Sequence, residues 1–216
     1  MTPSRLYRRI RHGRPIVIVS GLPRSGTSMM MQMLEAGGLP ILTDRLRAAD
    51  ESNPQGYYEL ERVKELDKNG DTSWLREARG SAVKIIAYLL AFLPESLNYK
   101  VVFMRRDLDE ILASQAKMLA ARGESTDTDD QSMRRFFEDH LARSERLLTG
   151  RTCFDVLQVG YADILSAPAR EAERVGAFLG GQPGFGDPLG IGVRLDASRA
   201  ASAVEPSLYR NRGPSI

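Results

Sequence analysis

Two clusters of cationic and hydroxyl side chains in this 216-residue chain are spaced to hold anions. In the first, Gly21-Leu-Pro-Arg-Ser-Gly26 is a glycine-bounded turn between a short β-branched run, Ile16 to Val19, and an amphipathic segment that opens at Thr27 or Ser28. Strand, turn and helix N-terminus together form an anion cradle, because backbone N–H groups converge on the loop and the helix dipole favours negative charge there. Pro23, Arg24, Ser25, Gly26, Thr27 and Ser28 are the residues placed to hold a phosphate-like group. In the second cluster, the apolar run Tyr99 to Phe103 leads through Met104 into Arg105-Arg106-Asp107, and Ser114 follows Arg106 about two helical turns later. One phosphate in the angle between strand end and helix would meet both Arg106 and Ser114.

The chemistry of the first loop turns on one position. The nucleotide-triphosphatase loop reads G-x-x-x-x-G-K-[ST]. Here Gly21, Gly26 and Ser28 fit that spacing, but Thr27 stands where the lysine belongs and the cation is Arg24, inside the loop. Without the lysine and a magnesium-binding acid, a dianionic phosphoryl group is poorly neutralised. A sulfuryl group carries one charge less, and an arginine with backbone amides suffices for it without metal. Pro-Arg-Ser-Gly-Thr-Ser resembles the 5′-phosphosulfate loop of the sulfotransferases that use 3′-phosphoadenosine 5′-phosphosulfate (PAPS).

Other segments extend that resemblance. The family's 3′-phosphate segment is an apolar strand, then Arg-Asp or Arg-Asn, then a serine at the spacing of Arg106, Asp107 and Ser114, with Leu108 replacing the usual proline. Val156 to Leu165 is similar to the family's strand ending in Tyr-Glu-Asp-Leu, with Ala162 for the glutamate, and Phe178-Leu179-Gly180 to its closing helix. The resemblance implies that Tyr161 contacts the adenine. Ala82-Val-Lys84 matches a strand whose lysine faces the transferring group, where a cation stabilises the charge that develops on the bridging oxygen. Leu208 to Gly213 resembles a basic-glycine segment that folds back on the 3′-phosphate, which nominates Arg212.

A general base is less plainly written. Animal cytosolic members place a histidine two residues after the lysine; here Ile86 occupies that position, and His12 and His140 fall near no motif. Other members use a carboxylate after the first helix, about where Asp44 lies. The Asn53-Pro-Gln-Gly-Tyr-Tyr-Glu59 segment resembles one in bacterial members and nominates Glu59. The implied reaction is in-line, metal-independent sulfuryl transfer from PAPS, leaving 3′-phosphoadenosine 5′-phosphate (PAP). The acceptor is a hydroxyl or amine on a small molecule or carbohydrate. Arg24, Lys84 and loop amides would stabilise the leaving phosphate, and Glu59 or Asp44 would take the proton. Two rivals stay open: a small-molecule P-loop kinase, and a non-catalytic protein binding PAP or another nucleotide. The kinase should carry lysine at position 27 and a strand ending in a magnesium-binding aspartate, whereas Phe103 is followed by Met104 and two arginines.

The elements that must position these residues follow from periodicity. Strands are expected at Ile16–Val19, Ser81–Ile86, Tyr99–Phe103 and Phe154–Val159, and Ile85–Leu93 reads equally as the start of a helix. Helices are expected from Thr27 or Ser28 to Gly37, and over Leu60–Leu66, Arg106–Arg122, Ser132–Leu148 and Ala169–Leu179, with Asp67–Gly80 a polar loop and Gly123–Gln131 a surface linker. The alternation predicts a three-layer α/β fold with a mainly parallel central sheet and P-loop-like architecture, in which ligands bind beyond the carboxyl ends of the strands.

The organisation expected is a basic arm, 1–14, then one sulfotransferase-like domain, 15–216, whose 181–216 segment is loop-rich. Arg5, Arg8, Arg9, Arg11 and Arg14 concentrate positive charge in that arm, although the whole chain carries only +2. It reads as a solvated leader, with no stable nucleic-acid partner expected. The single Cys153 excludes an intrachain disulfide and fits a reducing compartment. Ile85 to Pro94 is too short to span a bilayer and Pro15 to Ser20 too short for a signal peptide, so a cytoplasmic protein without a transmembrane segment is expected. Nothing in the composition specifies an oligomer.

Overall fold

The computed structural model describes residues 7–8, 11–44, 56–68, 70–121, 123, 130–180 and 194–205. Within them four strands, β1 (Ile16–Gly21), β2 (Ala82–Lys84), β3 (Tyr99–Arg105) and β4 (Phe154–Gly160), pair in the order β2-β1-β3-β4, all parallel. The helices are α1 (Thr27–Ala36), α2 (Leu108–Ala121), α3 (Asp130–Gly150), α4 (Tyr161–Ser166), α5 (Pro168–Leu179) and α6 (Ala197–Ser202). The expected α/β class with a parallel central sheet is what forms.

The strands are continuous apolar runs because both faces are covered. Ile16, Ile18, Val101 and Phe103 point into a core with 3₁₀ segments and α3, through Trp74, Leu75, Leu90 and Leu148. Val17, Val19, Val102 and Met104 point the other way, into Met30, Met33 and Leu34 of α1, Val175 of α5 and Ala200 of α6. Period-two alternation thus divides one sequence run between two cores. Register aligns Val19 with Lys84, Gly21 with Met104, and Arg105 with Gly160. All four carboxyl ends therefore share one edge. Strand order reverses at β1, with β2 on one side and β3 on the other, the switch point beyond which ligands bind in open α/β sheets.

Local departures from the sequence reading have packing causes. The expected strand Ser81–Ile86 stops at Lys84, and Ala87–Phe92 turns into a 3₁₀ helix that buries Leu89 and Leu90. β2 is the last of the four strands, bridged outside only at Ala82 by Ile41, and the apolar run that follows it packs onto α3. Asp67–Gly80, read as loop, contains the end of a 3₁₀ helix, Glu61–Lys68, and another, Ser73–Arg76, anchored by Trp74 and Leu75. The linker at 124–129, the segment 181–193, the tail from 206 with Arg212, and Asn53 to Gln55 lie outside the described residues, as do Arg5 and Arg9. No helix of the described residues is long and apolar enough to cross a membrane.

The arm departs from a solvated leader at Arg8. Its Nη2 donates to the Glu95 and Leu97 carbonyls at 2.7 and 3.1 Å, and its Nε to Asn98 Oδ1 at 3.2 Å. Asn98 Nδ2 donates back to the Arg8 and Gly13 carbonyls at 2.9 and 3.3 Å. The turn before β3 presents carbonyls that need donors, and the arm supplies them. Asn98→Ala leaves those groups unmatched and is expected to lower stability by about 1–3 kcal/mol, read as a lower urea midpoint, and to admit protease at the arm.

Candidate active site

The loop after β1 holds its shape through two positive-φ conformations at glycines and a third held by a residue with a side chain. Gly26 has φ 97°, Gly21 φ 150°, and Arg24, with a side chain, φ 67°. A left-handed non-glycine residue costs energy and persists where its surroundings fix it. The fixing contact is Arg106, just past β3, whose Nη1 donates to the Arg24 carbonyl at 3.0 Å. A Cβ on Gly26 would lie 2.5 Å from Cδ2 of Tyr161, the first residue after β4, so the ring and the loop backbone are in direct contact. Gly21 is confined likewise, a Cβ there falling 2.8 Å from the Met104 carbonyl oxygen.

Arg106 is the most constrained cation of the site. Its side chain is only 8 % exposed, its Nε pairs with Glu110 Oε2 at 2.8 Å, and its guanidinium lies 4.1 Å from the centre of the Tyr161 ring. A charge this desolvated needs such partners, since an unmatched one costs several kcal/mol, of the order given for buried ions. Burial pushes the Tyr161 phenol up, and the Arg106 charge beside it opposes that shift. Arg105, one residue earlier, turns away to Glu145 on α3. Parallel geometry, with side chains alternating across the sheet, thus decides which arginine of the pair faces the loop.

Ser114, buried on α2, accepts a hydrogen bond from Arg24 Nε at 2.9 Å. The two segments read separately in the sequence therefore meet. Arg24 points at the serine of the second segment rather than standing over the turn. The N-terminus of α1 carries no side-chain cap, and Ser25 Oγ beside it is buried without a hydrogen-bond partner. Uncapped helix amides and an orphaned hydroxyl are what an oxyanion would satisfy.

On the β2 side, Lys84 Nζ donates to Ser28 Oγ at 3.2 Å and to the Tyr57 carbonyl at 2.7 Å, tying strand end, loop and the 57–59 segment together. Tyr58, at φ 52°, sends its hydroxyl to Glu35 of α1 at 2.6 Å. Glu59 lies 3.9 Å from Lys64, and its carbonyl accepts from Thr43 Oγ1 at 2.8 Å. Asp44 Oδ2 accepts the Glu61 backbone N–H at 2.6 Å, at the start of a 3₁₀ helix. Asp44 thus has a capping job that its sequence position did not disclose. The roles of Glu110 and of the Tyr57 carbonyl appear only in the structure. Glu110 had a signal, lying one helical turn beyond Arg106, whereas a backbone carbonyl has none.

Residues 57–182 match the model of the sulfotransferase family. The chain belongs to that family. The matched span holds Lys84, Arg106, Ser114 and Tyr161 and begins after the Gly21–Ser28 loop. Among solved structures, a sulfotransferase domain from the curacin biosynthetic pathway is similar at 16% identity and TM-score 0.45, over 87% of this chain and 83% of that one. No curated protein matches the sequence.

Gly26→Ala adds both an unfavourable φ and a collision with Tyr161. It should lower stability by about 1–3 kcal/mol. Adding Tyr161→Ala removes the collision but not the strain, so thermal denaturation of the double variant should show less than the sum of the two single losses.

Proposed function

We propose that this sulfotransferase takes its sulfuryl group from PAPS and passes it to an acceptor hydroxyl or amine, with PAP as the second product. The observation that carries the reading is the meeting of two anion-binding segments. Arg106 donates into the turn that precedes α1, and Arg24 of that turn reaches Ser114 of α2. The buried, unpartnered Ser25 hydroxyl and the uncapped N-terminus of α1 fit an oxyanion in the turn.

In this reading Pro23 to Ser28 surround the 5′-phosphosulfate, Arg106 and Ser114 hold the 3′-phosphate, and Tyr161 fixes the Arg106 plane beside the nucleotide. Arg212 would close over the same phosphate. When bound, PAPS supplies a sulfuryl group already activated on a phosphate leaving group. The chain's own task is to position and to offset charge. Arg24 would exchange Ser114 for the phosphosulfate, which would free the serine hydroxyl for the 3′-phosphate. Lys84, held at the Tyr57 carbonyl and the Ser28 hydroxyl, would offset the negative charge that develops on the bridging oxygen. Arg24, Lys84 and Arg106 would offset charge that a kinase offsets with lysine and magnesium. Glu59 takes the acceptor proton, a role favoured over Asp44 because the latter's carboxylate already holds the Glu61 amide. The acceptor is a small molecule, and the cytoplasm is the compartment that the lone, buried Cys153 suits.

Charge-assisted hydrogen bonds contribute about 1.5–3 kcal/mol each. Arg106→Ala should therefore weaken PAP binding by about ten- to a hundredfold in calorimetry. It should affect adenosine 5′-phosphosulfate, which lacks the 3′-phosphate, far less; equal losses remove Arg106 from the 3′-phosphate. Glu59→Gln should keep PAP affinity and abolish transfer of labelled sulfuryl, whereas Asp44→Asn should retain transfer at reduced stability. If both variants turn over normally, the carboxylate base is wrong.

A further inference from the structure

Arg8, Arg11 and Arg14 of the arm gather with Arg79 and Arg151 at the end of the molecule opposite the candidate site. Each of these residues precedes a strand, and the sheet is parallel, so they share its amino edge. Arg8, fixed at the turn before β3, carries the rest of the arm onto the body. There the Arg79 Cζ lies 3.6 Å from where a Cβ on Gly13 would stand, and the Arg14 Cδ 3.8 Å from the same point at Gly80. Arg151 pairs at 3.2 Å with Glu95, whose carbonyl Arg8 also meets. Arg11 and Arg14 are exposed, and Arg11 donates at 3.1 Å to the hydroxyl of Tyr7, a residue 60% exposed. These charges act on a common neighbour: burial, then Arg8 and Arg11, with Arg79 behind them, hold the His12 imidazole below its ordinary value.

We propose that this arginine face docks the protein on an anionic membrane surface. The proposal goes beyond the transfer reading and does not rest on it. Guanidinium groups match lipid phosphate and carboxylate oxygens, and a cluster of about four to eight basic residues is enough to draw a protein to anionic lipid. Tyr7 beside them has the amphipathic ring that membrane interfaces favour. Charge distribution selects a plane over a rod. Residues 1–14 contain five arginines and no acid, yet the whole chain carries only +2, so residues 15–216 are net negative. A nucleic-acid duplex would run past the patch along that remainder, whereas a membrane meets one end of the molecule and leaves the remainder in water. No helix of the described residues can cross a bilayer, so the docking is peripheral and reversible. β1 is six residues long, which separates this face from the strand carboxyl ends by about 20 Å. A docked molecule therefore presents the Arg106 edge to solvent, away from the lipid.

Cosedimentation of the intact chain with phosphatidylcholine vesicles, with and without phosphatidylserine, tests this. The protein should bind the phosphatidylserine vesicles and release as salt rises. Arg11→Ser with Arg14→Ser should weaken that binding about tenfold or more, and Arg11→Lys with Arg14→Lys should keep most of it, because the attraction is one of charge. Arg135→Ser with Arg170→Ser removes the same net charge from exposed positions elsewhere and should change it little. Circular dichroism verifies that each double variant is folded. Equal binding to both kinds of vesicle, undiminished binding of the folded Arg11/Arg14 serine variant, or an equal loss in the Arg135/Arg170 variant each overturns the proposal. So does a DNA duplex that displaces the protein from the vesicles through the same two arginines, which would assign the face to nucleic acid. The measurement involves no turnover, so failure of sulfuryl transfer leaves its result standing, and failure to bind vesicles leaves the transfer reading standing.

Discussion

The site depends on one buried guanidinium. Arg106 leaves β3 at the edge where all four strands end, and it is held by the Arg24 carbonyl, the Glu110 carboxylate and the Tyr161 ring. These contacts come from the β1 turn, from α2 and from the residue after β4. One side chain thus fastens three crossover connections together. Removing its charge from water is costly, and that cost is offset only when all three partners arrive in register. The fold therefore fixes the arginine, and the arginine fixes the left-handed backbone of the turn.

A second constraint is the absence of room. The turn passes so close to Met104 and Tyr161 that Gly21 and Gly26 have no space for a side chain. Helix amides, a buried hydroxyl and cations then converge on a small volume above the reversal in strand order. Such preorganised dipoles act without rearranging during a reaction, which suits a transfer in which the protein mainly positions groups. The β2 side uses the same economy, with Lys84 tied both to the loop hydroxyl at Ser28 and to the backbone at Tyr57.

Much of this was legible in the residue order. Continuous β-branched runs separated by amphipathic segments specify a parallel sheet covered on both faces, and the α/β class and the sulfotransferase family both followed from motifs at 21–28, 84, 106–114 and 156–165. Local errors arose where an apolar run was short. Ile85–Leu93 fits strand and helix alike, and its choice was made by α3, a partner distant in sequence. Trp74 and Leu75 likewise turned an apparent polar loop into an anchored 3₁₀ turn. No local pattern reveals that Asn98 and the carbonyls before β3 need the Arg8 donors, so the arm reads as solvated from its sequence.

The sequence alone determined that the residues of its motifs would lie at strand ends, because glycine spacing, β-branching and helical period are local properties. Tertiary structure decided which of two adjacent arginines faces the turn and that Arg24 reaches Ser114. It also decided that Asp44 caps a helix while Glu59 lies beside Lys64. Those outcomes depend on register between strands and on contacts among residues tens of positions apart. Such distances are set only when the sheet closes and its two cores pack.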